Sequence, residues 1–144
     1  RDCLLSRGLG DVYKRQELWF SRAQIFVSLE DYDEAIASLE KAIELNPQSY
    51  EAQFFTGYYI IMKADALNQE ANEKEYTNEG EYEADQKEIL SIYSQAVPYL
   101  EVAHEIMPQN PDPVQLLKTL CYRLRDEPGM MEKYEKYNEL YKQM

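Results

Sequence analysis

The apolar residues between positions 16 and 49 recur with the spacing of two amphipathic helices. A first stripe at i, i+4 and i+7 consists of Trp19, Ala23 and Phe26. A second stripe with the same spacing consists of Ala35, Leu39 and Ala42. Between the stripes, residues 30–33 contain two aspartates that suit the N-cap of a second helix. Asn46-Pro47 predicts the end of that helix, since proline disfavours helix at the residue before it. The window therefore predicts a helix–turn–helix unit.

The 34 residues of this window resemble a tetratricopeptide repeat. The resemblance rests on Trp19, Ala23, Phe26, Tyr32, Ala35, Leu39, Ala42 and Pro47. It implies an all-α, right-handed solenoid of stacked helix pairs, which binds other proteins and performs no reaction of its own. Arg22 stands where the family pattern usually has an apolar residue, so we expect a weaker contact or an outward-facing side chain there.

The same period continues along the chain and predicts about three helix pairs. The units are residues 16–49, 50–110 and 111–144. The second unit carries 27 extra residues, placed at about 64–90. Ala64 to Glu88 holds nine acids and two bases. We expect two lengthened helices that join near Thr77–Glu81, with Asn78 and Gly80 as helix breakers, and that form an acidic hairpin extension. A solvated acidic extension and a docking element for a basic partner are both compatible with this composition.

The third unit is degenerate. Its first helix has an apolar face formed by Val114, Leu117, Cys121 and Leu124. Its second helix places Met130, Tyr134, Tyr137 and Tyr141 on one face. Terminal units of repeat proteins are expected to be atypical, because one side lacks a neighbour.

Residues 1–16 lack helical or strand periodicity and resemble a translated sequencing-adaptor or cloning scar. We expect them to be a non-native or disordered leader, with the repeat domain at residues 17–144 and the true N-terminus missing. This leader contributes +2 to the formal net charge of −12, so the other 128 residues carry −14.

The negative charge opposes binding to nucleic acid or anionic lipid, which requires neutralisation of phosphates by basic residues. The sequence contains no apolar run of the ~20 residues that span a bilayer. We therefore expect no nucleic-acid partner and no membrane insertion. The insertion and the degenerate third unit are similar to those of bacterial tetratricopeptide repeat proteins, some of them exported to the cell envelope. The compartment stays unknown, because the true N-terminus is missing; the expectation is a soluble protein of the bacterial cytoplasm or periplasm.

Candidate catalytic chemistry is sparse, so we predict a non-enzyme without a metal or cofactor. His104 is the only histidine, and Cys121 is the only cysteine outside the leader. Cys121 lies on an apolar helix face, where thiolate formation is disfavoured. No Gly-rich phosphate loop and no zinc-ligand spacing occur in the sequence.

The repeat resemblance assigns a concave groove to the first helices of the three pairs. The corresponding positions are Phe20, Gln24, Val27, Phe54, Tyr58, Ile61, Gln115, Thr119 and Tyr122. We expect a protein partner that presents a peptide or a helical segment to this groove. One alternative is a structural spacer or self-assembly element of a larger protein, with self-association through the last helix. Another is the C-terminal part of a multidomain enzyme.

Overall fold

The computed structural model describes the backbone of residues 2–144 and the side chains from residue 7 onward. Within this part of the chain every regular element is a helix, so the predicted all-α class is confirmed. The helices are α1 (Asp2–Ser28), α2 (Tyr32–Leu45), α3 (Tyr50–Glu73), α4 (Glu79–Ile106), α5 (Pro111–Arg123) and α6 (Met130–Lys142).

The six helices form three pairs that stack in chain order. Contacts within the pairs join α1 to α2, α3 to α4 and α5 to α6, and contacts between pairs join α2 to α3 and α4 to α5. The larger apolar cluster is contributed mainly by α3, α4 and α5. A smaller cluster lies between α1 and α2 and includes Tyr59 of α3. This arrangement is that of a tetratricopeptide-like helical solenoid.

The connection between α1 and α2 is closed by backbone hydrogen bonds. The Asp31 N–H donates to the Phe26 carbonyl oxygen at 2.9 Å, and the Glu30 N–H donates to the Val27 carbonyl oxygen at 2.9 Å. This is the Schellman pattern, with Glu30 in the left-handed region at φ 58°. Asp31 also begins the next helix, because its side chain accepts from the Glu34 N–H at 3.2 Å. One short turn therefore ends α1 and caps α2.

Gly57 permits the close packing of α3 on α4. A Cβ atom at this position would lie 2.8 Å from Leu100 Cγ and 3.3 Å from the Ala96 carbonyl oxygen. Both neighbours are fully buried in the larger cluster. A side chain at Gly57 would require Leu100 or one of the two helices to shift.

The predicted lengthened helices are present, but they join earlier than expected. Residues 74–78 connect α3 to α4, and the Asn78 side chain caps α4 by accepting from the Glu81 N–H at 3.0 Å. Gly80 is not a breaker as predicted, since it lies inside the first turn of α4. At this end of the hairpin the Asp85 carboxylate accepts from Lys74 at 2.9 Å and from the Tyr76 hydroxyl at 3.0 Å. These two hydrogen bonds lower the pKa of Asp85.

Pro98 lies in the interior of α4. Its nitrogen carries no hydrogen, so the Ser94 carbonyl oxygen receives no helical bond from it. The Ser94 hydroxyl donates to the Ser91 carbonyl oxygen at 2.7 Å one turn earlier. Pro98 follows the buried Val97 and therefore lies within the part of α4 that belongs to the repeat.

The sequence predicts that residues 1–16 form a non-native or disordered leader, and residues 2–16 lie within the described part of the chain. The structure makes them the N-terminal part of α1. Gln16 is buried and donates to the Ala42 carbonyl oxygen at 3.3 Å. Leu9 and Tyr13 are exposed on the same helix. A helix gives no information on the origin of these residues, so the scar remains a prediction.

The tyrosine face of α6 packs inward. Tyr137 is buried, and Met130, Tyr134 and Tyr141 are partly buried against the larger cluster. A role for this tyrosine face in self-association is therefore not supported. The exposed methionine near the start of α6 is Met131.

We predict that Gly57→Ala destabilises the protein by about 1 kcal/mol. The alanine gains helix propensity, but overpacking against Leu100 costs more than this gain. Gly8→Ala in α1 is the matched control, since nothing lies within 4 Å of its added Cβ. Urea denaturation of both variants measures the difference. Equal stability of the two variants would contradict the packing role of Gly57.

We predict that Glu30→Gly stabilises the protein by up to about 1 kcal/mol, because glycine adopts a positive φ without steric cost. Ser28→Gly is the control, since Ser28 keeps helical geometry in the last turn of α1 and glycine should lower stability there. Thermal unfolding followed by circular dichroism distinguishes the two. A loss of stability for Glu30→Gly would show that the turn does not require this conformation.

Candidate functional site

A ladder of aromatic rings runs along α3. Tyr50 stacks on Phe54 with ring centroids 5.5 Å apart, and Phe54 stacks on Tyr58 at 6.2 Å. The three residues are four positions apart, which places them on one face of the helix. The Tyr50 hydroxyl accepts a hydrogen bond from Asn110 Nδ2 at 3.0 Å, which joins the ladder to the start of α5. Burial, with the nearby Asp112 and Glu51 charges, raises the pKa of Tyr50 to about 12.

A small cavity lies between α1 and α3 beside this ladder. Its volume is about 200 Å³. The lining residues are Phe20, Ala23, Gln24, Leu39, Glu51, Phe55 and Tyr59. Phe55 and Tyr59 have their ring centroids 5.9 Å apart, and Phe55 is partly open to solvent. One acidic side chain and one amide give this apolar cavity limited polarity.

The structure brings only some of the predicted groove residues together. Phe20 and Gln24 line the cavity. Phe54 and Ile61 are half-buried against the larger cluster, and Val27 is half-buried against the smaller one. The exposed members are Gln24, Tyr58, Gln115, Thr119 and Tyr122. The predicted set is therefore partly internal packing and partly accessible surface.

On α5 the exposed members contact their own helix and α6. The Thr119 hydroxyl donates to the Gln115 carbonyl oxygen at 3.1 Å. The Tyr122 ring lies 5.2 Å from the Tyr134 ring, and the Arg125 guanidinium carbon is 4.9 Å from the centroid of Tyr122. Tyr122 is thus the exposed member of its aromatic pair with Tyr134.

Five of the seven cavity residues were absent from the predicted set, and two of these five, Phe55 and Tyr59, are aromatic. They lie four residues apart on α3, directly after Phe54 and Tyr58 in the sequence. The i, i+4 spacing of this second aromatic pair is visible in the sequence. Whether this pair lines the cavity depends on the angle between α1 and α3, which the spacing of residues along one helix does not determine.

Arg22 contacts both helices of the first pair. Its guanidinium carbon lies 4.7 Å from the centroid of the Phe26 ring. The same group donates to Ser38 Oγ at 2.5 Å and to Glu34 Oε2 at 2.9 Å. The expectation of a weak or outward-facing contact is therefore wrong. A cation that stacks on an aromatic ring replaces the usual apolar contact.

A larger and more polar cleft lies between the α1–α2 turn and the hairpin. Its volume is about 880 Å³. The carboxylates that line it are Glu30, Asp31, Asp33, Asp65, Glu70 and Glu73. Lys63, also at this cleft, is paired with Asp33 at 2.7 Å. No group of three side chains that could hold a metal ion occurs among the described residues.

Three helices meet at a buried tyrosine near the base of the hairpin. The Tyr93 hydroxyl donates to Asp65 Oδ1 and accepts from Arg123 Nη1. The Arg123 guanidinium carbon lies 4.4 Å from the centroid of the Tyr93 ring. Burial, followed by the Asp65 hydrogen bond and charge, raises the pKa of Tyr93. These contacts tie α3, α4 and α5 together, and the tyrosine remains protonated at neutral pH.

The two candidate reactive side chains have structural surroundings. Cys121 is fully buried, and burial raises the pKa of its thiol to about 11. His104 is partly buried, with its ring 6.2 Å from that of Tyr137. Its Nδ1 atom is buried without a hydrogen-bond partner in the described part of the chain. Neither side chain lines the cavity between α1 and α3.

Residues 17–49 match the sequence model of the tetratricopeptide repeat family. This segment of the chain is similar to a tetratricopeptide repeat. The matched segment is the second half of α1 together with α2, the pair in which small and aromatic residues interlock. No curated protein matches the chain.

Tetratricopeptide repeats are protein–protein interaction modules and are typically non-catalytic scaffolds. Among the described residues no helix has both the length and the apolar character required to cross a membrane.

We predict that the Cys121 thiol is unreactive in the folded protein. Because its pKa is raised to about 11, the thiolate is scarce at pH 8, and burial blocks the reagent. In a Cys3→Ser background, labelling with Ellman's reagent at pH 8 should be at least about a hundred-fold slower without denaturant than with it. Comparable rates would mean that α5 opens readily or that the thiol is accessible.

Proposed function

We propose that the face formed by α1, α3 and α5 is a groove that binds a peptide or an amphipathic helix of another protein. The observation that carries the proposal is the aromatic ladder of α3 beside the 200 Å³ cavity. Tyrosine and phenylalanine supply large contact areas with few rotatable bonds, which makes them frequent anchors in protein interfaces. The chain thus acts as a non-catalytic interaction scaffold.

The cavity indicates which ligand side chains the groove accepts. Phe20, Phe55 and Tyr59 provide apolar walls, and a volume of about 200 Å³ suits one large apolar side chain. Gln24 can donate to and accept from the ligand backbone beside it. Glu51, the charged residue of the lining, favours a neutral or basic ligand at that edge. We therefore expect a ligand with one buried aromatic or aliphatic anchor.

Tyr58 extends the ligand-binding face from the cavity towards α5. Its side chain is 39% exposed and is stacked on Phe54. The ring is therefore held in place while one side remains free for a ligand. Preorganised rings of this kind lose little conformational entropy on binding.

The test is selection of peptides from a displayed random library on the 144-residue chain, followed by affinity measurements on purified variants. We predict that Tyr58→Ala weakens binding of the selected peptides at least about ten-fold, which corresponds to about 1.4 kcal/mol. Tyr82→Ala is the matched control, because Tyr82 is 46% exposed but lies on the hairpin. Fluorescence polarisation with labelled peptides gives the dissociation constants.

Two results would overturn the proposal. One is selected peptides that bind Tyr58→Ala as tightly as the parent chain, which would place the ligand elsewhere. The other is an equal loss of affinity with Tyr82→Ala, which would place it on the hairpin. Circular dichroism of each variant checks that the helices are intact before binding is compared.

A further inference from the structure

An apolar stripe on α1 is exposed where the same stripe is buried in the other two pairs. Leu18, Ile25 and Leu29 are 70%, 59% and 67% exposed. Equivalent positions in the other units are found by aligning residues 16, 50 and 111, where the three units begin. The apolar residues at these equivalent positions are all buried: Ala52, Tyr59, Pro113, Leu120 and Leu124. The contrast cannot come from residue type, since all three α1 residues are large and apolar.

In the second and third pairs this face is covered by the preceding helix of the stack. Helix α2 packs on α3, and helix α4 packs on α5. Each covering helix supplies an apolar residue at the same repeat position, Ile36 in α2 and Val97 in α4. The contact that covers this face is absent at α1 but occurs twice within the molecule, between α2 and α3 and between α4 and α5.

The covering helices also share a glutamate four residues after this apolar position. Glu40 Oε1 accepts from the Tyr99 hydroxyl at 3.2 Å, and Glu101 Oε1 accepts from Lys133 Nζ at 2.6 Å. Tyr99 and Lys133 occupy the same position in successive units. Each glutamate therefore contacts the second helix of the next pair.

Helix α6 retains both features and is followed by no further pair in the described chain. Met131 occupies the position of Ile36 and Val97 and is 43% exposed. Glu135 occupies the position of Glu40 and Glu101 and is exposed. Helix α6, at one end of the stack, thus presents the kind of surface that covers the next pair. Helix α1, at the other end, presents the kind of surface that is covered in the second and third pairs.

We propose that a second copy of this chain stacks head to tail, with its α6 covering the Leu18–Ile25–Leu29 stripe of α1. The repeat position that faces the glutamate is Ser38 in the first unit. Ser38 is bonded to Arg22, whose side chain is 41% exposed and would lie beside the incoming Glu135. The contact is heterologous, so further copies add in the same direction. It uses faces other than those of the proposed peptide groove.

The experiment measures the mass of the whole 144-residue chain by sedimentation and light scattering at concentrations between about 10 μM and 1 mM. This range covers the dissociation constants expected of small interfaces. Two variants each block one end, Ile25→Glu on α1 and Met131→Glu on α6. Both substitutions replace exposed side chains, and circular dichroism checks that the helices remain. Tyr82→Glu on the hairpin is the control and should associate like the parent chain.

We expect the parent chain to grow beyond its 17.0 kDa monomer mass as its concentration rises. Each blocked variant alone should stay monomeric. An equimolar mixture of Ile25→Glu and Met131→Glu should give a dimer of twice the monomer mass and no larger species, because only one compatible contact remains.

Three outcomes would overturn the proposal. A parent chain that stays monomeric throughout shows that no copy covers the stripe. Self-association of Met131→Glu alone shows pairing through α1 on both sides, and self-association of Ile25→Glu alone shows pairing through α6. Loss of peptide binding by Tyr58→Ala is independent of all three, so failure of this inference and failure of the groove are distinguishable.

Discussion

The structure depends on close approach of the two helices within each pair. In the first pair Ala23, Ala35 and Ala42 are almost completely buried, and in the second pair Gly57 lies directly under Leu100. Small residues at these crossings bring the helix axes together, so that larger side chains interlock on either side. Helix α2 packs on both α1 and α3, so the crossing of α1 on α2 contributes to the position of α1 relative to α3 and to the cavity between them.

Much of the fold was predictable because small and large residues alternate with the period of a helix pair. The first pair and the long α3–α4 hairpin follow directly from this alternation. Residues 2–16 contain glycines and mixed charges, which reduce helix propensity, whereas continuity with a well-packed helix favours propagation once the helix has formed. Gly80 was mistaken for a breaker because the cap at Asn78 already determines where α4 begins.

The candidate site was less predictable than the fold, for a geometric reason. Repeat position tells which side of a helix a residue occupies, but burial depends on what the adjacent helix places opposite it. Phe54 and Tyr58 share one side of α3, yet Phe54 packs against the core while Tyr58 remains accessible. Arg22 illustrates the same limit, since a residue type that suggests solvent instead stacks on Phe26 and bonds to α2. Which of these side chains are buried depends on contacts between helices, and the residue pattern of a single helix does not determine it.

Pro98 gives the α3–α4 hairpin a mechanical character of its own. A helix that lacks one backbone hydrogen bond is more easily bent at that point, because curvature there stretches no existing bond. Helix α3 is uninterrupted opposite it, so the two arms differ in stiffness. A bend at this point would tilt the far end of the hairpin relative to the part of α4 that follows Pro98.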